Sequence, residues 1–251
     1  MPLYGQLDTS TLRQDLPEMA DFDTEAWQLP GADLVYLALE VKADVVDPLL
    51  PKALHPAVPR YLTILVAQYP ESPVGPFCLA QIRLMARAGV HPRGYVVQAY
   101  ADQDTATTEL RRRWGFPVQT ADAIALRVHH DRVFVTVDKG GRTLLDCALS
   151  HYEVVAGTDI TYISSVHLAR VTAIEAPGPR LVQVDPRYTI HRAARGRPQL
   201  LGLDTDAWHC QNVTVVNPII GTFTTVDTDL PRIRFVMDPD IPVVQGTTRI
   251  R

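Results

Sequence analysis

Three consecutive arginines, Arg111 to Arg113, precede Trp114 and a Gly-Phe-Pro turn, and they form the densest group of cationic side chains in the sequence. A guanidinium stays protonated at any working pH, so it cannot condense with a carbonyl, but it can hold a carboxylate, an enolate or a phenolate through paired hydrogen bonds. We therefore expect Arg112 to be the catalytic residue, acting where negative charge develops. Arg113 and Trp114 are expected to contact the substrate. The open alternative is that these arginines form a solvated helical face.

Two further sets of residues have the spacing of two that places side chains on one face of a strand. Leu79, Gln81 and Arg83 form the first set, and Gln98 and Tyr100 form the second. We predict that both sets bind the substrate, with the apolar side chain shaping the pocket and the polar groups orienting the ligand. Two alternatives stay open: the first set could alternate outward toward solvent, and the second could form ordinary cross-strand pairs.

The sequence predicts no metal ion and no cofactor. His129 and His130 are adjacent, so on a strand their rings would point to opposite faces and could not easily chelate one ion. No paired-cysteine or His-Glu-x-x-His spacing is present, and the remaining histidines are scattered. Glycine-rich phosphate loops and Gly-x-Ser-x-Gly elbows are also absent. His209 followed by Cys210 lacks an accompanying oxyanion-loop motif, so a thiol nucleophile is not expected.

The elements that must position these groups are mostly strands. Many segments alternate apolar and polar residues and are rich in β-branched side chains. The predicted strands cover 34–41, 61–67, 77–86, 95–101, 123–128, 132–137, 142–149, 160–174, 181–185, 212–216 and 233–237. The predicted helices cover 45–54, 104–114 and 201–210. The sequence Asp-Lys-Gly-Gly at 138–141 predicts a hairpin tip.

Many short strands, few helices and 20 prolines favour a mainly β (α+β) protein. We predict a single domain over residues 1–251, a closed antiparallel β-cone or barrel with a central cavity and a few short helices. Residues 1–30 are expected to form an extended N-terminal arm. No internal repeat or linker-like change in composition divides the chain.

Composition limits the partners and the compartment. The chain is 46% hydrophobic and 21% charged, with a net charge of −4, so neither a nucleic acid nor a membrane partner is expected. No apolar run approaches the length of a membrane span, and the first residues do not resemble a signal peptide. Three cysteines fit a reducing environment, which predicts a cytoplasmic protein.

The segment 108–117 resembles the active-site segment of the acetoacetate decarboxylase superfamily, in which a Glu-Leu pair leads to two adjacent lysines and a Gly-aromatic-Pro turn. Weaker similarities follow in the same order along the chain, at 40–54, 75–77, 100–102, 175–181 and 230–238. The resemblance implies a β-cone with an internal pocket, a lysine that forms a Schiff base with a ketone, and a homo-oligomer.

This sequence departs from the family pattern at the positions that carry the chemistry. Arg112 and Arg113 stand where the family has its lysine pair, and Leu79 stands where the resemblance places a glutamate. Schiff-base decarboxylation is therefore not expected. We predict a noncovalent enzyme for a small carbonyl or carboxylate compound, catalysing cyclisation, isomerisation, hydration or C–C rearrangement, in bacterial secondary metabolism. The alternatives are a non-catalytic binding protein for a hydrophobic acid and a decarboxylase with another mechanism.

Overall fold

A computed structural model describes residues 4–9, 16–22, 25–175 and 177–250, and it is dominated by strands. The strands are β1 (Glu18–Met19), β2 (Trp27–Val41), β3 (His55–Pro56), β4 (Tyr61–Tyr69), β5 (Phe77–Ala88), β6 (His91–Ala101), β7 (Val118–Thr120), β8 (Ala123–His129), β9 (Arg132–Lys139), β10 (Arg142–Val155), β11 (Ser165–Val171), β12 (Gly178–Val184), β13 (Arg187–Leu203), β14 (Val215–Leu230), β15 (Phe235–Met237) and β16 (Thr247–Arg249). The helices are α1 (Ala43–Val46), α2 (Asp104–Trp114) and α3 (Val243–Gly246). The mainly β class predicted from the sequence is confirmed.

All the described strands belong to one sheet. Its order is β16-β15-β12-β11-β6-β5-β4-β2-β14-β13-β10-β9-β8, with β1, β3 and β7 paired at its sides. Most neighbours are antiparallel, but β11 runs parallel to both β1 and β6, and β7 is parallel to β6. Within the described residues the end strands β8 and β16 do not pair with each other.

The predicted closed antiparallel cone or barrel is corrected in two respects: the sheet is mixed, and it is not strictly closed. The edge strands account for the open ends. Both β8 and β16 are largely exposed, and β8 carries Arg127 and His129. Charged and exposed edge strands disfavour further pairing.

The central strands β2, β4, β5 and β6 are buried on both faces. Side chains alternate between two apolar clusters, which we call the inner and outer faces. Leu34, Leu65 and Leu79 belong to the inner face, whereas Leu37 and Ile64 belong to the outer face. Burial on both sides explains why β5 reads as an almost continuous buried run rather than as an alternating strand.

Helix α2 confirms the predicted helix at 104–114. It ends at Gly115, whose φ of 66° is left-handed and whose N–H donates to the carbonyl of Arg111. A Cβ at Gly115 would lie 2.7 Å from Ala169 Cβ and from Met19 Sδ, so only glycine fits this close approach. The glycines at 140 and 141 also have positive φ and form the predicted hairpin tip between β9 and β10.

Two other helix predictions are wrong in extent or in kind. The segment 45–54 contains only the single turn α1 and a 3₁₀ turn at Asp47–Leu49. Residues 201–203 complete β13, where Leu203 pairs with Leu145, and turns follow. Pairing with β10 overrides local helix propensity there.

The predicted N-terminal arm is described only in part, because residues 1–3, 10–15 and 23–24 lie outside the described residues. In the described part, Gly5 N–H donates to the carbonyl of Leu54, and Leu7 forms a parallel bridge with Pro51. Glu18–Met19 adds to the sheet beside β11, and β2 already begins at Trp27. In the described ranges we find no helix whose length and apolar content would suit a bilayer crossing.

Candidate active site

The inner face encloses a cavity of about 20 Å³, which is room for about one water molecule. Its walls come from β2, β4, β5, β13, β14, α2 and the loops beside them. The lining residues are Leu29, Leu65, Tyr69, Phe77, Leu79, Gln81, Arg83, Leu110, Phe116, Pro186, Tyr188, Thr228 and Leu230. Most of this wall is apolar, so its few polar groups define what the cavity can hold.

Arg83 is the cation of this cavity, and it is buried with only 4% of its surface exposed. Its Nε donates to Gln81 Oε1 at 2.8 Å, and its Nη2 donates to the same oxygen. Its Nη1 donates to the carbonyl of Ile163 at 3.3 Å. Tyr188 also hydrogen-bonds with the guanidinium. Within the described ranges no carboxylate forms an ion pair with Arg83.

A buried cation without a counter-ion is energetically unfavourable. Transferring such an ion from water into the protein interior costs several kcal/mol, even after the protein relaxes. A well-placed opposite charge would offset a cost of this size. Gln81 and Ile163 supply only neutral oxygens. The guanidinium of Arg83 therefore retains a strong attraction for an anion and could hold a carboxylate or an enolate.

Unpartnered polar atoms surround this cation. The Thr228 hydroxyl, the Ser165 hydroxyl and His167 Nδ1 are buried, and none of them has a hydrogen-bond partner among the described residues. Thr228 lines the cavity itself. Ser165 and His167 are two apart on β11, which places them on one face of that strand. Buried polar groups are normally satisfied, so these atoms could form hydrogen bonds with a ligand or with a water molecule.

His167 is held in one tautomer. Its Nε2 lies 2.7 Å from the carbonyl oxygen of Trp114, so Nε2 must carry the hydrogen and Nδ1 must carry the lone pair. Complete burial, with a smaller contribution from the charge of Arg83, lowers the pKa of His167 to about 4 against the opposing effect of the Trp114 carbonyl. The ring is therefore neutral at neutral pH. His167 can accept a hydrogen bond at Nδ1 from a ligand.

Three tyrosines complete the polar part of the inner face. The Tyr36 and Tyr162 rings meet edge to face at 5.8 Å, and the Tyr162 and Tyr188 rings are 4.9 Å apart. Burial raises the pKa of Tyr36 to about 12 and also raises the pKa values of Tyr162 and Tyr188. These phenols therefore stay protonated and act as hydrogen-bond groups. The Tyr162 hydroxyl lies 2.6 Å from Thr224 Oγ1.

Of the two predicted strand sets, the structure places the set on β5 at the cavity and the set on β6 away from it. Leu79, Gln81 and Arg83 share a wall of the cavity, while their role in binding stays a prediction. Tyr100 lies on the outer face, where its hydroxyl donates to the carbonyl of Ala207. Gln98 lines a separate cleft and donates to the carbonyl of Ala99. Gln98 and Tyr100 pair with Ile82 and Ala80, which belong to the outer face, so their side chains point away from the cavity.

The sequence predicts Arg112 as the catalytic residue. The structure corrects the position this requires, because Arg112 does not face the cavity. Its side chain is 50% exposed and donates from Nη2 to Glu109 at 2.9 Å. Leu110 and Trp114, four residues apart, face inward from α2, so the residue midway between them points outward. The arginines at 112 and then 113 hold the pKa of Glu109 down at about 2.

The other two helix residues predicted to touch substrate have structural contacts. Arg113 Nε donates to Glu109 Oε2 at 2.6 Å, and its guanidinium lies 5.8 Å from the centre of the Trp27 ring. Trp114 is fully buried, and its Nε1 donates to the carbonyl of Pro231 at 2.8 Å. Neither residue lines the cavity around Arg83.

Sequence reasoning missed several polar residues of the inner face. These residues are Tyr36, Ser165, His167, Tyr188 and Thr228. For two of them, Ser165 and His167, the sequence contained a signal. The run Ser-Val-His-Leu-Ala-Arg-Val places Ser165 and His167 in line with Ala169 and Val171, which belong to the inner apolar cluster. Polar residues in a buried apolar row mark a ligand or a structural hydrogen bond.

The lysines lie elsewhere. Lys42 and Lys52 are exposed, and Lys139 sits at the hairpin tip, where its Nζ donates to Gln119 Oε1 at 2.9 Å. No group of three or more His, Cys, Asp or Glu side chains in the described part of the chain could hold a metal ion. The inner face therefore offers a guanidinium, amide, hydroxyl and imidazole groups.

Comparisons with known proteins agree with this architecture. The family model described as acetoacetate decarboxylase matches residues 15–238. A crystal structure of acetoacetate decarboxylase from Legionella pneumophila has a TM-score of 0.70 at 15% identity, covering 84% of this chain and 86% of that chain.

Two further solved structures are similar. The enduracididine biosynthesis enzyme MppR, complexed with the condensation product of pyruvate and imidazole 4-carboxaldehyde, has a TM-score of 0.66 at 17% identity, covering 84% of this chain and 89% of that chain. An acetoacetate decarboxylase-like enzyme from Sphingomonas wittichii RW1 has a TM-score of 0.67 at 16% identity, covering 90% and 97%. No curated protein matches the sequence. At these identities the structural likeness shows a shared fold.

Proposed function

Because this chain belongs to the acetoacetate decarboxylase family, we propose that it is an enzyme that acts noncovalently on a small carbonyl or carboxylate compound, with Arg83 holding the anion. One observation carries the proposal: a buried guanidinium whose described partners are all neutral. The distance of the lysines from the inner face supports a mechanism without a Schiff base. The similar enzyme MppR was solved with a pyruvate condensation product, which supports a 2-oxo acid or a related ligand.

The groups on the inner face suit chemistry that passes through an enolate or another oxyanion. Arg83 would hold the developing negative charge through two N–H donors, in surroundings of low polarity that strengthen the attraction. His167 Nδ1 and the Thr228 hydroxyl would orient the substrate by hydrogen bonds. Leu79 and its apolar neighbours would exclude water. Cyclisation, isomerisation, hydration and C–C rearrangement all fit this arrangement, and bacterial secondary metabolism is the setting we propose.

The cavity is too small for such a substrate in the state described. About 20 Å³ admits one water molecule, whereas ligand pockets typically measure ~300–1,000 Å³. Substrate binding therefore requires aromatic side chains such as Phe116 or Tyr188 to move. We also propose, from family resemblance, that the chain acts as a single-domain subunit of a cytoplasmic homo-oligomer.

A specific observation favours a second candidate, a non-catalytic binding protein for a hydrophobic acid. The shifted pKa values on the inner face all lie far from neutrality: His167 is at about 4 and Tyr36 is at about 12. None of these groups is ready to exchange a proton at neutral pH. A binding protein needs only the anion contact of Arg83.

Both candidate functions require Arg83 to bind the carboxylate of the ligand, and calorimetric titration tests this requirement. We expect the wild-type protein to bind 2-oxo acids and simple carboxylates but not the matching amides, and Arg83→Met to lose this binding. The matched control is Arg87→Met, an exposed arginine on the same strand, which should bind like the wild type. Equal affinity of wild type and Arg83→Met for the acids would refute the assignment. Conversion of a bound acid, followed by NMR, separates the enzyme from the binding protein.

A further inference from the structure

A second pocket opens on the same side of the sheet as Arg83. Its volume is about 360 Å³, and we call it the vestibule. Its walls are mainly aromatic and aliphatic, with Tyr36, Tyr61, Tyr162, Ile219 and Ile220 among the lining residues. A largely apolar pocket of this size falls within the range that binds small organic ligands.

The register of the strands connects the vestibule to the cation. Arg83 pairs with Thr63, Thr63 pairs with Ala38, and Ala38 pairs with Ile220. Ala38 and Ile220 line the vestibule. Since neighbouring strands are about 4.8 Å apart, the backbone of Arg83 lies roughly 10 Å from the vestibule floor. A single ligand of several carbons can span this distance.

Tyr36 and Tyr162 form the wall between the two spaces. Both line the vestibule, and their rings meet edge to face at 5.8 Å. Tyr162 also contacts Tyr188, which hydrogen-bonds with Arg83. Tyr162 lies between β10 and β11 in a segment without helix or strand, at 160–164. Turning its ring aside breaks the hydrogen bond to Thr224 but no strand pairing, whereas Tyr36 is fixed within β2.

We propose that the vestibule binds the tail of the substrate, so that the substrate class is a carboxylic or 2-oxo acid with an apolar tail of several carbons. This inference rests on the proposed function, because the carboxylate must reach Arg83. Tyr162 is the gate through which the head group passes, and the tail then rests against Tyr61, Ile219 and Ile220. The rim carries Arg195 and Asp159, both exposed, which contact each other through the Asp159 carbonyl.

A chain-length series tests the proposal by calorimetry. From acetate to octanoate, affinity should rise about fourfold for each methylene that enters the vestibule. Ile219→Trp should fill the vestibule, weaken octanoate binding at least tenfold and leave acetate binding unchanged. The matched control is Val216→Trp on the same strand, since Val216 and Ile219 are both 49% exposed and only Ile219 lines the pocket. The control should bind both acids like the wild type.

The outcomes separate the two proposals. Loss of both acids in Arg83→Met, together with loss of octanoate alone in Ile219→Trp, supports both. Unchanged octanoate binding in Ile219→Trp, or an affinity independent of chain length, overturns the vestibule while leaving Arg83 in place. Retention of both acids in Arg83→Met overturns the proposed function, and a wild-type protein that binds neither acid overturns both. Tyr162→Ala should speed the association of octanoate in stopped-flow measurements; a slower association would remove Tyr162 as the gate.

Discussion

The buried pair of Gln81 and Arg83 allows a test that separates a ligand site from a structural contact. The double variant Gln81→Leu/Arg83→Met replaces both polar groups with apolar side chains of similar volume. The two residues are only 2% and 4% exposed, so removing the Gln81 amide and the Arg83 guanidinium from water destabilises the folded protein. Replacing buried ionic groups with well-packed apolar ones is often neutral or stabilises by about 1–4 kcal/mol. We expect the double variant to gain about 1–3 kcal/mol in free energy of unfolding. The gain stays below the upper end of the range because Tyr188 and Ile163 each lose a hydrogen-bond partner.

The single variant Arg83→Met should be less stable than the double variant. It leaves Gln81 Oε1 buried without a donor, which costs about 1–3 kcal/mol. Urea denaturation with an unchanged slope measures both differences. In thermal unfolding, 1 kcal/mol corresponds to about 2–4 °C for a chain of this size. A double variant that is less stable than the wild type by more than about 1 kcal/mol would refute the reasoning, since the pair would then be holding the fold together.

Three further predictions concern groups outside this pair. The unfolded chain protonates His167 below about pH 6.5 and the folded protein only below about 4, so its contribution to stability should fall by about 3 kcal/mol as pH drops between these values. His167→Gln should remove this slope in urea denaturation at several pH values; an identical slope in the variant would contradict the assignment. Arg112→Ala should change ligand affinity less than twofold and stability by no more than about 1 kcal/mol, because the ion pair with Glu109 is half exposed. A large loss of binding in calorimetry would return Arg112 to the site. Borohydride reduction with a 2-oxo acid should leave the intact mass unchanged, and an adduct on any lysine would restore the Schiff-base mechanism.

The sequence predicted helix α2 and the hairpin at 138–141, because the signals for both lie within a few neighbouring residues. Helix α2 has an inward stripe of apolar residues and ends at Gly115, and the hairpin at 138–141 has two glycines that accept positive φ. The strands β13 and β14 were mostly missed. Pro198 and Pro218 interrupt their patterns, and proline within a strand normally argues against one. Pairing between distant segments overrides that local signal.

The candidate site could be predicted only where a single strand carries it. Leu79, Gln81 and Arg83 lie at a spacing of two on β5, so their shared face follows from the strand period. Arg112 was misplaced because a run of three arginines spans most of a helical turn, and burial of Leu110 and Trp114 decides which of them faces outward. Thr228 and His167 reach the interior from strands far along the chain. Their proximity to Arg83 depends on the order of the strands in the sheet, which a short sequence pattern does not encode.

The division of the sheet into two separately packed faces has a consequence for how such a protein changes over evolutionary time. Leu37, Ile64 and their neighbours hold the strands together on the side away from Arg83. Substitutions among the residues around Arg83 can therefore accumulate while the opposite layer keeps the sheet in place. A scaffold organised in this way can lose a reactive amine and take up a new substrate without having to find a new fold.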